Sequence, residues 1–156
     1  MFRPIRRKAK EIDIEIARSL LESRRYGVLA MHGDDGYPYC VPINYLYDGE
    51  KIYFHGARAG HKYDSIKANP KVCFTVCGEE TIKDEPWAPH VQSVVVFGRC
   101  YMMDDVGESI DMLRTLAMKY YPSSELVDSE IAKSGTATQM YVIEIEHIRG
   151  KQVQER

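Results

Sequence analysis

The sequence predicts a mainly β protein with flanking helices: about six antiparallel strands that close toward a barrel, and two main helices. Runs of alternating hydrophobic residues recur along the chain, most of them adjacent in sequence. One long run carries an internal glycine, as at a barrel corner. Helices do not alternate with strands, which argues against a doubly wound parallel sheet. The 156 residues suit a single domain spanning 1–156, with residues 1–12 as a basic N-terminal arm.

The elements follow in order. Asp13 is placed to cap a helix from about Ile14 to Arg25, with Ile16, Leu20 and Leu21 on one face. Tyr26-Gly27 ends it, and Val28–His32 is a short apolar strand. Gly33-Asp34-Asp35-Gly36 is turn chemistry. Tyr39–Tyr47 reads as one long strand, and Asp48-Gly49 as a type I′ hairpin signal returning through Lys51–His55. These three strands predict a meander. A short helix over His61–Ala68 stops at Asn69-Pro70. Val72, Phe74 and Val76 alternate along the strand Lys71–Cys77. Gly78 to His90, with Pro86-Trp87-Ala88-Pro89, reads as a loop. Gln92–Met103 is a strand, and Gly98 within it predicts a bulge or sharp bend. Ile110, Leu113, Ala117 and Tyr120 stripe a helix from about Asp105 to Tyr120. A helical turn is expected near Ser124–Lys133, and Gln139–His147 is the last strand.

Composition excludes several classes. No apolar run approaches the roughly 20 residues of a membrane-spanning helix. With 21 Lys+Arg against 23 Asp+Glu, net charge is −2, which disfavours bulk nucleic-acid binding. No apolar stretch follows the basic start Met1–Lys8, so no secretory signal is read and a cytoplasmic setting is expected. Cys40, Cys73, Cys77 and Cys100 fit that setting as reduced, mostly buried thiols. Their spacing does not suggest zinc, and no metal site is expected. The basic arm reads as a solvated tail.

The densest chemistry lies in Phe54-His55-Gly56-Ala57-Arg58-Ala59-Gly60-His61-Lys62. A strand ends, glycines loosen the backbone, and a helix begins among cations. Free N–H groups and the positive end of the dipole favour an anion there, and Arg58, His61 and Lys62 add charge. A phosphate site and a solvated basic turn both fit this pattern. Val41-Pro42-Ile43-Asn44 is the second candidate, because a strand proline belongs at an open edge whose free backbone groups suit a flat heteroaromatic ring. Ser93, in a strand otherwise made for the core, is the third. Trp87, flanked by prolines, would serve as a packing residue or as a lid at a subunit contact. His32 and His147 read as surface or strand-end residues, and His90 as polar rim.

Taken together, Gly27-Val28-Leu29-Ala30, Tyr37–Tyr45, Ile52–Ala57, Gly60-His61-Lys62 and Ser93–Gly98 stand in the order seen in flavin-nucleotide-binding proteins related to pyridoxamine 5′-phosphate oxidase. The chain most resembles their 5-nitroimidazole resistance (Nim-like) branch, and Arg6-Arg7-Lys8 resembles that group's opening. The resemblance runs from about Arg6 to Lys151. It implies a split β-barrel binding FMN at a homodimer interface. It further implies flavin contacts from Val41, Pro42, Ile43, Asn44, His55, Gly56, Ala57, His61, Lys62 and Ser93. Arg58 joins them on charge and position, and Trp87 as a contact at the partner chain. The pyridoxal-phosphate motifs of the oxidase proper are not found. The expected activity is an FMN-dependent oxidoreductase, with NADH or NADPH as donor and a nitroaromatic or quinone as acceptor. A non-catalytic flavin- or haem-binding barrel, with His55, His61 or His90 on iron, and a plain interaction domain are the alternatives.

Overall fold

The computed structural model describes residues 1–84 and 87–154, and within them not the side chains of 83, 84, 87 and 154. Helices are α1 (Ile14–Ser23), α2 (His61–Ala68), α3 (Val106–Met118) and α4 (Ser124–Ser134). Strands are β1 (Tyr26–His32), β2 (Pro38–Asn44), β3 (Leu46–Tyr47), β4 (Lys51–Gly56), β5 (Lys71–Cys77), β6 (Thr81–Asp84), β7 (Trp87–Met102) and β8 (Gln139–Gln154). Among the described residues, no helix is long and apolar enough to cross a membrane.

The strands form one antiparallel sheet in the order β2-β1-β5-β7-β8-β4-β3, with β6 paired to β7. Its two end strands, β2 and β3, are separated in the chain by Tyr45 alone. The sheet therefore curls until its ends meet, and the chain itself joins them where a ladder would otherwise be. This is a split barrel.

Alternation decides which side chains fill it. Leu29 and Met31 of β1, Val72, Phe74 and Val76 of β5, and Val94, Val96 and Cys100 of β7 point inward, as do Ile52 and Phe54 of β4 and Tyr141 and Ile143 of β8. Phe54 stacks on Tyr141 with ring centroids 4.8 Å apart, and Phe74 meets Tyr45 edge-on at 4.8 Å. Gly27 is required by that ring: a Cβ there would stand 2.0 Å from Phe74 Cζ.

The antiparallel barrel and the bulge agree with the sequence reading. The β7–β8 register shifts between Phe97 and Gly98, and an added Cβ on Gly98 would lie 2.3 Å from the Glu144 carbonyl oxygen. Other expectations are corrected. Eight strands among the described residues replace about six, while α2 and α4 stand where the short helix His61–Ala68 and the helical turn near Ser124–Lys133 were expected, α4 being a full helix. The Tyr39–Tyr47 run breaks at Tyr45, so β1, β2 and β4 make no meander: β4 pairs with β3 and β8. The 78–90 segment is largely strand, with β6 paired to the start of β7 through Ile82↔Pro89 and Thr81↔His90. His90 is consequently buried, its Nδ1 2.9 Å from Gln152 Nε2, and is no polar rim. In the β3–β4 turn only Gly49 has positive φ, and Asp48 Oδ1 accepts from the Glu50 and Lys51 N–H groups, so the turn is not type I′.

Two helix faces also differ from expectation. In α1 the buried pair is Ala17 and Leu21, one turn apart, while Ile16 is exposed; in α3, Leu116 is the buried residue beside the expected stripe. Cys100 alone of the four free cysteines is buried; Cys40 and Cys77 take the outward positions of their strands. The arm is not a solvated tail. Its Phe2 ring stacks on His147 at 4.6 Å and on Phe97 at 5.4 Å, and the Ile12 N–H donates to the Gly150 carbonyl at 3.1 Å.

Gly98→Ala forces its methyl against a ladder carbonyl that cannot withdraw without losing pairing. We expect it to lower the unfolding free energy by about 1–3 kcal/mol, read from the urea midpoint. An unchanged midpoint would show that the bulge accommodates a side chain.

Candidate functional site

β4 ends by turning one side chain in and the next out. Phe54 is buried, so His55 faces outward, and Gly56 closes the strand. The chain then runs through Ala57–Ala59 to Gly60, whose φ of +107° is a left-handed conformation that glycine adopts without cost. Gly60 caps α2 with no side-chain hydrogen bond to the first-turn N–H groups. The Asp64 N–H donates to the Gly60 carbonyl at 3.0 Å, leaving the turn before it as an N-terminus open to an acceptor.

Lys62, in that first turn, folds back over the end of β4. Its ammonium lies 5.5 Å from the Phe54 ring centroid and 6.0 Å from that of Tyr141. Gly56 makes the approach possible: a Cβ there would come within 2.9 Å of Lys62 Nζ. Burial lowers the Lys62 pKa, and among the described residues it makes no ion pair. A half-desolvated cation held only by ring faces is electrostatically unfinished. His55 feels the same environment, its pKa lowered first by desolvation and then by the Lys62 charge. Its ring is crowded by the walls around it, although the residue opens to solvent on one side.

The other two predicted cations go elsewhere. His61 stacks on the Tyr39 ring at 3.9 Å and its Nε2 stands 3.6 Å from Asp34 Oδ2. Arg58 Nη2 donates to the Thr138 carbonyl at 3.4 Å, on the side facing α4. The sequence reading missed Tyr141, whose hydroxyl donates to the Ala57 carbonyl at 3.0 Å and pins the loop to β8. Burial pushes that phenol's pKa up to about 12, so it remains a donor. Only the alternation in Gln139–His147 hinted at Tyr141, and it read as core.

Val41, Pro42, Ile43 and Asn44 lie on β2, an edge strand paired only with β1. Pro42 is exposed there, where a missing N–H costs no ladder bond, while Ile43 points into the core. Asn44 Nδ2 donates to the Arg25 carbonyl at 3.4 Å. Because the barrel ends meet at Tyr45, Asn44 and His55 line one cleft of about 380 Å³, walled opposite by Leu113 and Tyr120 of the α3 segment and Ile131 of α4. The structure thus brings Asn44, His55, Gly56, Ala57 and Lys62 to one end of the barrel.

Ser93 is not with them. It pairs with Cys77 and Lys151, nine residues along β7 from Met102, which is on the order of 30 Å of strand. The side chain of Trp87 lies outside the described residues. The outer face of β2-β1-β5-β7 carries Cys40, Ala30, Cys73 and Phe97 in one row and Pro42, Val28, Thr75 and Val95 in the next. Val28, Pro42 and Phe97 are exposed on it. No three His, Cys, Asp or Glu side chains among the described residues group as metal ligands. The donors present suit a phosphorylated organic ligand: an unneutralised ammonium, a side-chain-free strand end and open helix N–H groups.

Comparison with known proteins places the chain in a family and a fold. A family model described as pyridoxamine 5′-phosphate oxidase matches residues 13–152. No curated protein matches the sequence. A candidate 5-nitroimidazole antibiotic resistance protein from Bacteroides thetaiotaomicron superposes with TM-score 0.80 at 18% identity, over 92% of this chain and 87% of that one. An FAD-binding protein from Mesorhizobium loti gives 0.68 at 23% identity, over 92% and 97%. An FAD- and haem-binding protein from Mycobacterium smegmatis gives 0.74 at 18%, over 91% and 72%.

The His55 shift has a signed consequence. The folded chain binds the His55 proton less readily than the unfolded chain, so protonation favours unfolding. Stability is untouched by this group above its ordinary value of 6.5 and falls as pH drops below it. His147, also lowered by desolvation first, acts in the same direction. We expect the urea midpoint of the ligand-free protein to fall between pH 7 and pH 5, and less so in His55→Gln. Equal pH slopes in the two proteins would remove His55 from this account.

Proposed function

The chain belongs to the pyridoxamine 5′-phosphate oxidase family, and from that premise we propose that it binds FMN and acts as an NAD(P)H-dependent reductase of a small acceptor such as a nitroaromatic or quinone. One observation carries the reading: Lys62, half-buried and without a carboxylate partner among the described residues, stands beside Gly56 at the open N-terminus of α2. The phosphate is assigned to Lys62 Nζ and the first-turn N–H groups. Gly56 and Ala57 present backbone to it without obstruction, and Tyr141 keeps the Ala57 peptide in place.

The ring is assigned to the β2 edge, Val41 to Asn44. Pro42 removes a donor from that edge, and the remaining backbone groups and the Asn44 amide set the hydrogen bonds a heteroaromatic edge would meet. His55 lies between the two regions and stays largely neutral while Lys62 is uncompensated; a dianion beside it would restore its affinity for a proton. Arg58 and His61 act through their field, since each already has a protein partner. When bound, the flavin supplies the hydride and electron chemistry, and the protein positions and shields it. Relatives of similar fold are named for FAD, so the choice of FMN rests on a site built for a terminal phosphate.

A homodimer belongs to the same reading. The cleft beside β2 is open, and a flat three-ring ligand needs a second wall. The exposed apolar rows through Val28, Pro42 and Phe97 give a second copy a surface to bury. Ser93, remote from Lys62 along β7, and Trp87, whose side chain lies outside the described residues, enter the cofactor site only through such an arrangement.

Lys62→Ala is expected to weaken FMN binding at least tenfold, read by quenching of flavin fluorescence on titration into flavin-stripped protein. Circular dichroism serves as the control for folding. A folded variant with unchanged affinity overturns the phosphate assignment. For the activity, anaerobic NADH or NADPH is expected to bleach the flavin-loaded protein, and added nitroimidazole or quinone to restore its colour. Failure to bleach with either donor leaves a binder and ends the reductase reading.

A further inference from the structure

The cleft between the open end of the barrel and the α3–α4 pair has two unlike sides. Its helical wall is apolar, made by Leu113 and Ala117 of α3 and Ile131 of α4. The opposite side is polar: Arg25 just before β1, Asn44 at the end of β2 and His55 near the end of β4. Tyr26 and Tyr121 also line the cleft while 65% and 42% exposed, so aromatic rings stand at its mouth. Its volume of about 380 Å³ is near the lower end of the roughly 300–1,000 Å³ of ligand clefts, which suits a molecule of one or two rings.

One end of the polar side is electropositive. The Arg25 guanidinium carbon lies 4.7 Å from the Tyr120 ring centroid and the Lys119 ammonium 5.6 Å from it, so two cations share one ring. Arg25 Nη1 donates to the Lys119 carbonyl at 3.1 Å, while Lys119 Nζ donates to the Arg24 and Tyr45 carbonyls. These contacts hold both side chains by carbonyls and a ring face, none of which carries a full negative charge. The two cations feel each other: after burial, the Arg25 charge is the next cause of the lowered Lys119 pKa. Lys119 is turned toward the junction at Tyr45, which leaves Arg25 as the cation that lines the cleft. Glu130, on the α4 side of the lining, is held by Lys133 at 3.0 Å.

We infer that Arg25 determines the specificity of this cleft and that the cleft takes a small aromatic carboxylate, its carboxylate on the guanidinium and its ring between the tyrosines and the apolar helical wall. A guanidinium is a planar fork of donors that matches a carboxylate, and its positioning on Tyr120 reduces the freedom lost on binding. The apolar wall gives the ring a place to leave water, and it makes a second charge on the ligand costly, which favours a carboxylate over a phosphate dianion. That this ligand is the electron acceptor rests on the reductase reading, and narrows its acceptors to aromatic rings bearing a carboxylate. The binding itself needs no flavin.

Calorimetric titration of the flavin-stripped full chain at pH 7 compares 4-nitrobenzoate with its neutral isostere 4-nitrobenzamide, so the result is decided whether or not FMN is the cofactor. The carboxylate is expected to bind one saturable site at least tenfold more tightly than the amide. Arg25→Gln is expected to bring the two within twofold of each other while leaving the amide's affinity within twofold of the parent protein's, which a merely structural role for Arg25 would not do. Ala117→Phe, which fills the cleft without touching Arg25, is expected to weaken both ligands at least tenfold, and it carries the test if Arg25→Gln does not fold. Lys62→Ala is expected to leave both affinities within twofold. No saturable binding, equal affinity for the two ligands, a preference that survives Arg25→Gln, unchanged binding in Ala117→Phe, or carboxylate binding lost in Lys62→Ala would each overturn the inference.

Discussion

The fold depends on one buried junction. Tyr45 joins the two end strands of a curled sheet, and every polar group it brings into the interior is satisfied. Its hydroxyl donates to the Leu21 carbonyl, its N–H donates to Tyr120 Oη at 2.9 Å, and its carbonyl accepts from Lys119 Nζ at 3.1 Å. Lys119 also reaches the Arg24 carbonyl at 2.6 Å. A group of this kind left unpaired costs about 1–3 kcal/mol, so the ends of α1 and α3 are bound to the junction rather than merely packed near it. Burial raises the Tyr45 phenol's pKa and lowers that of Lys119, which keeps the first neutral and leaves the second sharing its charge with carbonyls and ring faces. Because α3 ends in this clamp, it stands over the gap where β2 and β4 approach, and the cleft between Asn44 and His55 is a consequence of closure.

That geometry explains why one cation of several carries the site. Many cations of the described residues have carboxylate partners: Arg99 is paired with Glu146 at 2.9 Å, Lys133 with Glu130 at 3.0 Å, and Arg149 with Glu11 at 3.0 Å. Such exposed pairs contribute little to stability, roughly 0–1 kcal/mol each, but they show what neutralisation looks like on this chain. Lys62 departs from the pattern by being drawn onto the Phe54 and Tyr141 rings, where solvent screens it less. The cost is tolerable for a lysine that can sit over aromatic faces, and it leaves a field that both repels a proton from His55 and attracts an anion. His61 and Arg58 have the same sign but are exposed and engaged, so their contribution at Lys62 is small.

Period and punctuation made much of the architecture legible. Alternation located the strands, Asn69-Pro70 marked the end of α2, and Gly98 announced the bulge, because each of these is a local constraint on backbone or side-chain direction. What stayed hidden was non-local. Nothing in Tyr39–Tyr47 says that one run of β-branched and aromatic residues serves both ends of a sheet; that follows only from closure. The 78–90 segment looked like a loop because its prolines and charges suppress strand propensity, yet the pairing of β6 with the start of β7 overrides them. At the site, chain proximity grouped Arg58, His61 and Lys62, whereas the turn of the helix and the reach of each side chain dispersed them. Tyr141 could not be found from its own neighbourhood, since its role is set by a contact with Ala57, far away in sequence.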